Sequence, residues 1–396
     1  MISKSRHYGG FFALVFQFQE PHSVITCYFS KTCGWRWNIF KRVYLLISGG
    51  IILIASVSFA IPRFGVKVEQ KCNLCHIDPA GGGMRNAFGS QYFAMTELAV
   101  HKTALNDIEH FQTQISDILS LGADIRTQYF YDESSYLSTL FQMEGNLYAN
   151  AQLDSRFSAT LKKGIYNGFE VYGTGYILPM QGYFRVGKFQ PTYGWKFADH
   201  TSFVREKMLW PPTSTDTGLE FGIYPQGISA NVGFFNGSQG MLDDGKGKAV
   251  SSRVELRRNI SGIGFGLGGS AFLNDTPLGD INMYGPFYYL NLASGRFIYL
   301  GEIDWLENKN PAVELTSFAT TLKFSYMIVQ GVWIDGHYDF YDPDVDMKTG
   351  DIARYGIGLN YFPYGFLEIT PIFRYYKDSI TDSDYMQFIS EMHFFF

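Results

Sequence analysis

Five consecutive residues, Cys72-Asn73-Leu74-Cys75-His76, carry the most specific chemistry in this chain. Two thiols separated by two residues, with an imidazole directly after the second, form the C-x-x-C-H pattern. Such thiols can add to the two vinyl groups of a haem, and the adjoining imidazole can ligate the iron from one side of the ring. The pattern therefore predicts one covalent haem c, with Cys72 and Cys75 as its thioether residues and His76 as an axial iron ligand. Three other uses of a cysteine pair compete. Zinc wants four Cys or His ligands, and no second pair follows. A thioredoxin-like pair wants a βαβ setting, which the surrounding pattern lacks. A structural disulfide would leave His76 without a role.

A sixth iron ligand is harder to place. Met84 lies eight residues beyond His76 and reaches round a haem edge only if the chain, at ~3.3–3.6 Å per residue, is almost extended. Met95 and His101 have more slack, His110 and His200 are further candidates, and Met95 is preferred. Gly81-Gly82-Gly83 could let backbone approach a macrocycle closely or could simply form a flexible turn. Without a following Lys-Ser/Thr it is not a phosphate loop.

Covalent attachment suits an exported protein, and the chain carries an export signal. Lys41 and Arg42 precede an apolar run from Val43 to Ala60 that closes on Ser58-Phe59-Ala60. A positive flank, an apolar stretch and a small-residue exit describe a signal peptide; a permanent N-terminal anchor is the other reading. Residues 1–40 read as an upstream extension. Removing 1–60 takes Cys27 and Cys33 with it and leaves Cys72 and Cys75 as the remaining thiols, too few for a disulfide framework.

The elements that must position this motif follow from composition and period. Of 396 residues, 46% are hydrophobic, 17% aromatic and 17% charged, with 42 Gly, and the mean hydropathy is −0.06. Abundant Gly and aromatics with no further long apolar run match a transmembrane β-barrel, in which lipid-facing and lumen-facing residues alternate. The net charge of −5 offers no basic stripe for nucleic acid. Within the segment 61–120, Phe88, Tyr92, Met95 and Ala99 recur at spacings of four, three and four, which predicts one face of an α-helix.

From Leu121 onward the period changes to two. Leu121, Ala123, Ile125, Thr127, Tyr129 and Tyr131 oppose Gly122, Asp124, Arg126, Gln128 and Phe130. In the next segment Met143, Gly145, Leu147, Ala149, Ala151 and Leu153 share one face. Val250–Arg257, Gly295–Trp305 and Phe366–Tyr376 alternate likewise, with charges of both signs on the polar face, as a wet or plugged lumen requires. Hydrophilic turns such as 243–247 and 342–346 separate the segments.

A soluble β-sandwich with one solvated face would also alternate. Segments of ten or more residues suit tilted membrane strands better. The last strand ends on Met392, Phe394 and Phe396 of one face, like the C-terminal signature read by barrel-assembly machinery. The expectation is an all-β chain: an antiparallel outer-membrane barrel of about sixteen strands over 121–396. A monohaem segment over 61–120 would act as its plug. Asp199-His200-Thr201-Ser202-Phe203-Val204-Arg205-Glu206 invites comparison with an esterase triad, but no G-x-S-x-G accompanies it, and an ion-pair cluster in a loop or lumen is the better reading.

Arg63-Phe64 after Pro62, then Gln70, the Cys72–His76 motif and Asn86-Ala87-Phe88-Gly89 resemble the leader of the outer-membrane cytochrome–porin fusion family of iron-oxidising bacteria. The likeness covers Ile61 to Gly89, and the triglycine departs from that family's phrase. It implies a haem at or within the barrel mouth and electron transfer between an extracellular donor or acceptor, ferrous iron among them, and periplasmic cytochrome c, an oxidoreductase role. The rival expectation is a solute porin with a regulatory haem or a structural disulfide.

Overall fold

The computed structural model describes residues 63–103, 112–165, 168–209, 214–238, 243, 245, 247–310, 313–347, 350–379 and 381–396. The extension and signal peptide expected over 1–60, and His110, lie outside the described residues. Sixteen antiparallel strands, from β1 (Leu119–Asp132) to β16 (Ser383–Phe395), each pair with their sequence neighbours, and β1 pairs with β16 to close a barrel. Closure leaves no strand edge, which matters in lipid because an unpaired N–H or C=O there has no water to bond.

Alternation decides which way each strand faces. On β8 (Ala249–Ile260), Ser251, Arg253, Glu255 and Arg257 are buried in the lumen while Val254 and Leu256 are exposed outward. On β11 (Phe297–Asn310), Glu302 and Asp304 point inward. Outside, Tyr299 stacks on Phe324 at 4.5 Å and Phe373 lies 4.7 Å from Phe388, cross-strand aromatic pairs on an apolar surface. A charged inside and an apolar outside on a closed barrel make this an integral protein of the bacterial outer membrane. Ser261-Gly262, with φ of 54° and 83°, forms the two-residue turn into β9 (Ile263–Thr276), where both positions need positive φ.

Four local expectations are corrected. The barrel starts at Leu119 rather than Leu121. On β2 (Leu137–Gln152), Arg126 pairs with Glu144 and Thr127 with Gln142, so Met143 is bulged out of the ladder and lines an internal cavity instead of sharing the face of Leu147. Leu153 lies past the strand end. The helix at Phe88–Leu98 is a π-helix. Its wider turn places Gly89, Ser90, Phe93, Ala94, Met95 and Leu98 on the buried side and leaves Phe88 and Tyr92 exposed, so the four residues matched to an α-helical face do not share one.

The two ends of the barrel differ. At the end nearest the last residue every turn is two to four residues long, whereas the other end carries the connections 190–215, 236–248 and 343–351. Short turns are the periplasmic signature and long loops the extracellular one. Segment 63–103 enters from the short-turn end. Its first helix, α1 (Arg63–Val68), sets Phe64 among Phe93, Trp333 and Phe362. Gln330 holds the carbonyls of Thr96 and Ala99 at 2.8 and 3.1 Å, and Val100 N donates to Phe362 O at 2.9 Å.

Candidate functional site

The C-x-x-C-H loop lies inside the lumen, and its shape comes from short-range bonds. Cys72–Leu74 is one turn of 3₁₀ helix, and His76 N closes on Cys72 O at 2.9 Å. The chain then turns back, with Ile77 N on Met84 O at 3.0 Å and His76 bridged to Arg85. Gly81, Gly82 and Gly83 make that return with φ of 87°, 73° and 62°. Three successive left-handed residues are strained for anything but glycine. A side chain at Gly81 would also come within 2.9 Å of Cys72 Sγ. The triglycine is thus a defined turn wrapped over Cys72.

Asn86 ties this loop to the π-helix. Its amide donates to the carbonyls of Asn73 and Leu74, both at 3.0 Å, and its oxygen accepts from Gly89 N at 2.9 Å. A Cβ on Gly89 would collide with the Cys75 carbonyl. The residues Asn86-Ala87-Phe88-Gly89 are therefore the clasp that holds the motif against the helix.

A cavity of about 290 Å³ opens beside the motif, bordered by Cys72, Cys75, His76, Gly82, Gly83 and Met84, close to the lower limit of ~300–1,000 Å³ for small-molecule sites. Both cysteines are free thiols. Burial pushes the Cys72 and Cys75 thiols up to about 11. Burial, helped by Arg85, pulls His76 down to about 4, so at neutral pH the ring is the uncharged form that ligates metals. His76 Nδ1 is buried with no hydrogen-bond partner, a position that costs free energy unless something binds it. An orphaned imidazole nitrogen, two adjacent thiols and enclosed space fit a haem bound at Cys72, Cys75 and His76.

The other candidates scatter. Met84 and His200 line the same cavity, as does His393, a residue that sequence reasoning did not single out. Met95 does not line it: its sulfur accepts from the Thr103 hydroxyl at 3.6 Å and packs toward Gly365 in a short turn between strands. His101 stacks on Tyr364 at 5.3 Å.

Charged side chains from the wall and from the connection 190–215 fix the site. Asp78 receives Arg185 at 2.8 Å and Lys196 at 2.9 Å. Burial alone would raise its pKa, but these two cations hold it at about 2. Arg63 reaches Asp335 at 2.9 Å and also bonds Asn360. Above the plug, the described part of 190–215 folds into the lumen. Its Arg205 pairs with Glu302 at 2.6 Å and Asp199 with Arg374 at 2.7 Å, while His200 lies 3.3 Å from Glu144. Asp199–Glu206 is an ion-pair cluster, and an esterase finds no support in it.

Comparison with known proteins bears on the barrel. No known family matches the sequence, and no curated protein does either. Solved structures do match. OmpT of Vibrio cholerae is 11% identical, with 72% of this chain and 100% of that chain covered, at a TM-score of 0.52. An anion-selective porin from Comamonas acidovorans is 11% identical, over 70% and 99%, at 0.53. OprB of Pseudomonas putida is 8% identical, over 70% and 94%, at 0.54. The fold is porin-like. At such identities the likeness is one of architecture, and it speaks for the barrel rather than for the segment inside it.

Proposed function

We propose that this porin-like barrel is an outer-membrane electron conduit, with a c-type haem held by Cys72, Cys75 and His76 inside its lumen. The observation that carries the reading is the C-x-x-C-H loop folded against an internal cavity, with a buried imidazole nitrogen left unbonded. When bound, the haem supplies a one-electron couple whose potential depends on axial ligation and burial. The chain's own residues fix its place. Asn86 and Gly89 clamp the cysteine loop to the π-helix, and Gly81–Gly83 turn the backbone back over Cys72. Asp78 and Arg63 lock the segment to the wall. The segment and the inward loop occupy the space that an open channel would use. On this reading a donor such as ferrous iron gives up one electron outside and a periplasmic cytochrome c accepts it, or the flow is reversed.

A second reading is the one the structural likenesses favour: a solute porin whose plug is structural or regulatory, since a porin of Comamonas acidovorans is named as anion-selective. Two measurements separate the readings. The visible spectrum of the purified, exported protein denatured in alkaline pyridine should show haem c, lost in Cys72→Ala/Cys75→Ala. Liposomes enclosing a redox dye should then reduce it from an external donor without leaking small solutes. A colourless protein that leaks solutes would sink the conduit and leave the porin.

A further inference from the structure

Beside Cys72, adjoining the larger cavity through Lys71, Cys72, Tyr193 and Lys196, lies a second, small cavity of about 30 Å³. Its basic residues come from three elements: Lys71, beside Cys72, from the plug, Lys196 from the inward loop, and Arg253 and Arg257 from β8. Four of its lining residues are basic and none is acidic. Arg253 and Arg257 are 4% and 5% exposed and share one carboxylate, Glu255, itself 1% exposed; Arg253 reaches it at 3.0 Å and Arg257 also bonds it. Two buried guanidinium ions on one carboxylate leave positive charge without a counter-charge, which is costly away from water. Arg257 Nε is moreover buried without a hydrogen-bond partner. Lys196 is committed to Asp78 at 2.9 Å, so it does not draw on Glu255.

We propose that this cavity is a binding site for a small monovalent inorganic anion of chloride size, bonded by Arg257 and Arg253 and enclosed by Lys71 and Lys196. A water needs ~10–15 Å³ of such space, so the cavity admits one such ion and rejects bulky organic anions. Hydroxyl and amide groups of Ser229 and Asn231 complete the lining. The site is recognised by its own basic residues, Arg253 and Arg257, which do not line the larger cavity.

The test uses the purified full-length protein in detergent, titrated calorimetrically with sodium chloride against sodium gluconate at constant ionic strength. One saturable site per chain is expected. In Arg257→Gln the affinity should fall about ten-fold or more, the usual worth of a hydrogen bond to a charged group, while Lys248→Gln in an exposed loop leaves it unchanged. Crystals of the unaltered protein soaked in bromide should show one anomalous peak between Arg257 and Cys72, which decides the matter even where Arg257→Gln fails to fold. No peak there, or binding equally tight in Arg257→Gln, overturns the assignment. A haem spectrum is read independently, so either claim can fail alone.

Discussion

Two bodies fill the barrel, and they fill it differently. The inward loop is pinned to the wall by buried, bonded anchors: Trp195 and Phe203 are fully buried, Trp195 N bonds Glu302 at 2.6 Å, Tyr193 bonds Asp304 at 2.7 Å, and the Arg205 guanidinium holds both the Trp195 carbonyl and Glu302. The plug is held at its rim by Asp78, Arg63 and the periplasmic turns, and a cavity lies between it, the wall and the inward loop. Charged wall residues such as Arg126, Glu144 and Lys162 line that cavity together with the cysteine loop. The loop is bonded across the lumen, whereas the plug presents Cys72, Cys75 and His76 to a cavity.

That contrast can be broken most forcefully at the loop. Arg205→Ala would leave Glu302, a 1%-exposed carboxylate, buried without its cation, and removing one partner of a buried pair costs ~3–5 kcal/mol. Urea unfolding in detergent, followed by tryptophan fluorescence, should register that loss, and ion conductance in planar bilayers should rise as the loop comes away. Stability within about 0.5 kcal/mol of the unaltered barrel, the range of ordinary surface substitutions, would mean that the loop is not anchored through this pair.

How much of this was open to sequence reasoning depends on the range of the physics involved. Strand alternation was legible because lipid and lumen demand opposite side chains at every second residue, as in Arg253, Glu255 and Arg257 against Val254 and Leu256. The bulge at Met143 was not, since a bulge is set by pairing with a neighbour and leaves no mark on a period of two. The π-helix escaped for a related reason: Phe88, Tyr92, Met95 and Ala99 satisfy an α-helical period, and the wider turn is imposed by packing against the cysteine loop and the wall. The C-x-x-C-H motif could be read directly, because its chemistry is local. Its surroundings could not. Asp78 meets Arg185 across 107 positions and Arg205 meets Glu302 across 97, and one charged residue on an alternating strand does not announce its partner. The signal that was available, inward-facing charge of both signs, identified the wall but not the pairings.

A smaller and more local test of the plug is Gly89→Ala. The new methyl group would strike the Cys75 carbonyl, and overpacking of this kind costs ~1–3 kcal/mol. The expected readout is faster hydrogen exchange of the amides in 88–98, by roughly ten-fold to a hundred-fold, with strand amides unaffected. Unchanged protection in 88–98 would show that helix and cysteine loop are not in the contact described.

The mildest perturbation separates the clasp from the helix it caps. Asn86→Ala deletes the bonds to Asn73 O and Leu74 O and the cap on Gly89 N, while adding no bulk. Loss of a capping side chain costs ~0.5–2 kcal/mol, so exchange should quicken less than in Gly89→Ala and chiefly at the first turn, near Gly89. Because Asn86 also spans the cysteine loop, the Leu74 and Cys75 amides should loosen with it. If only the helix amides respond, Asn86 is a cap and nothing more, and the shape of the C-x-x-C-H loop must come from its own 3₁₀ turn and the glycines that fold back over it.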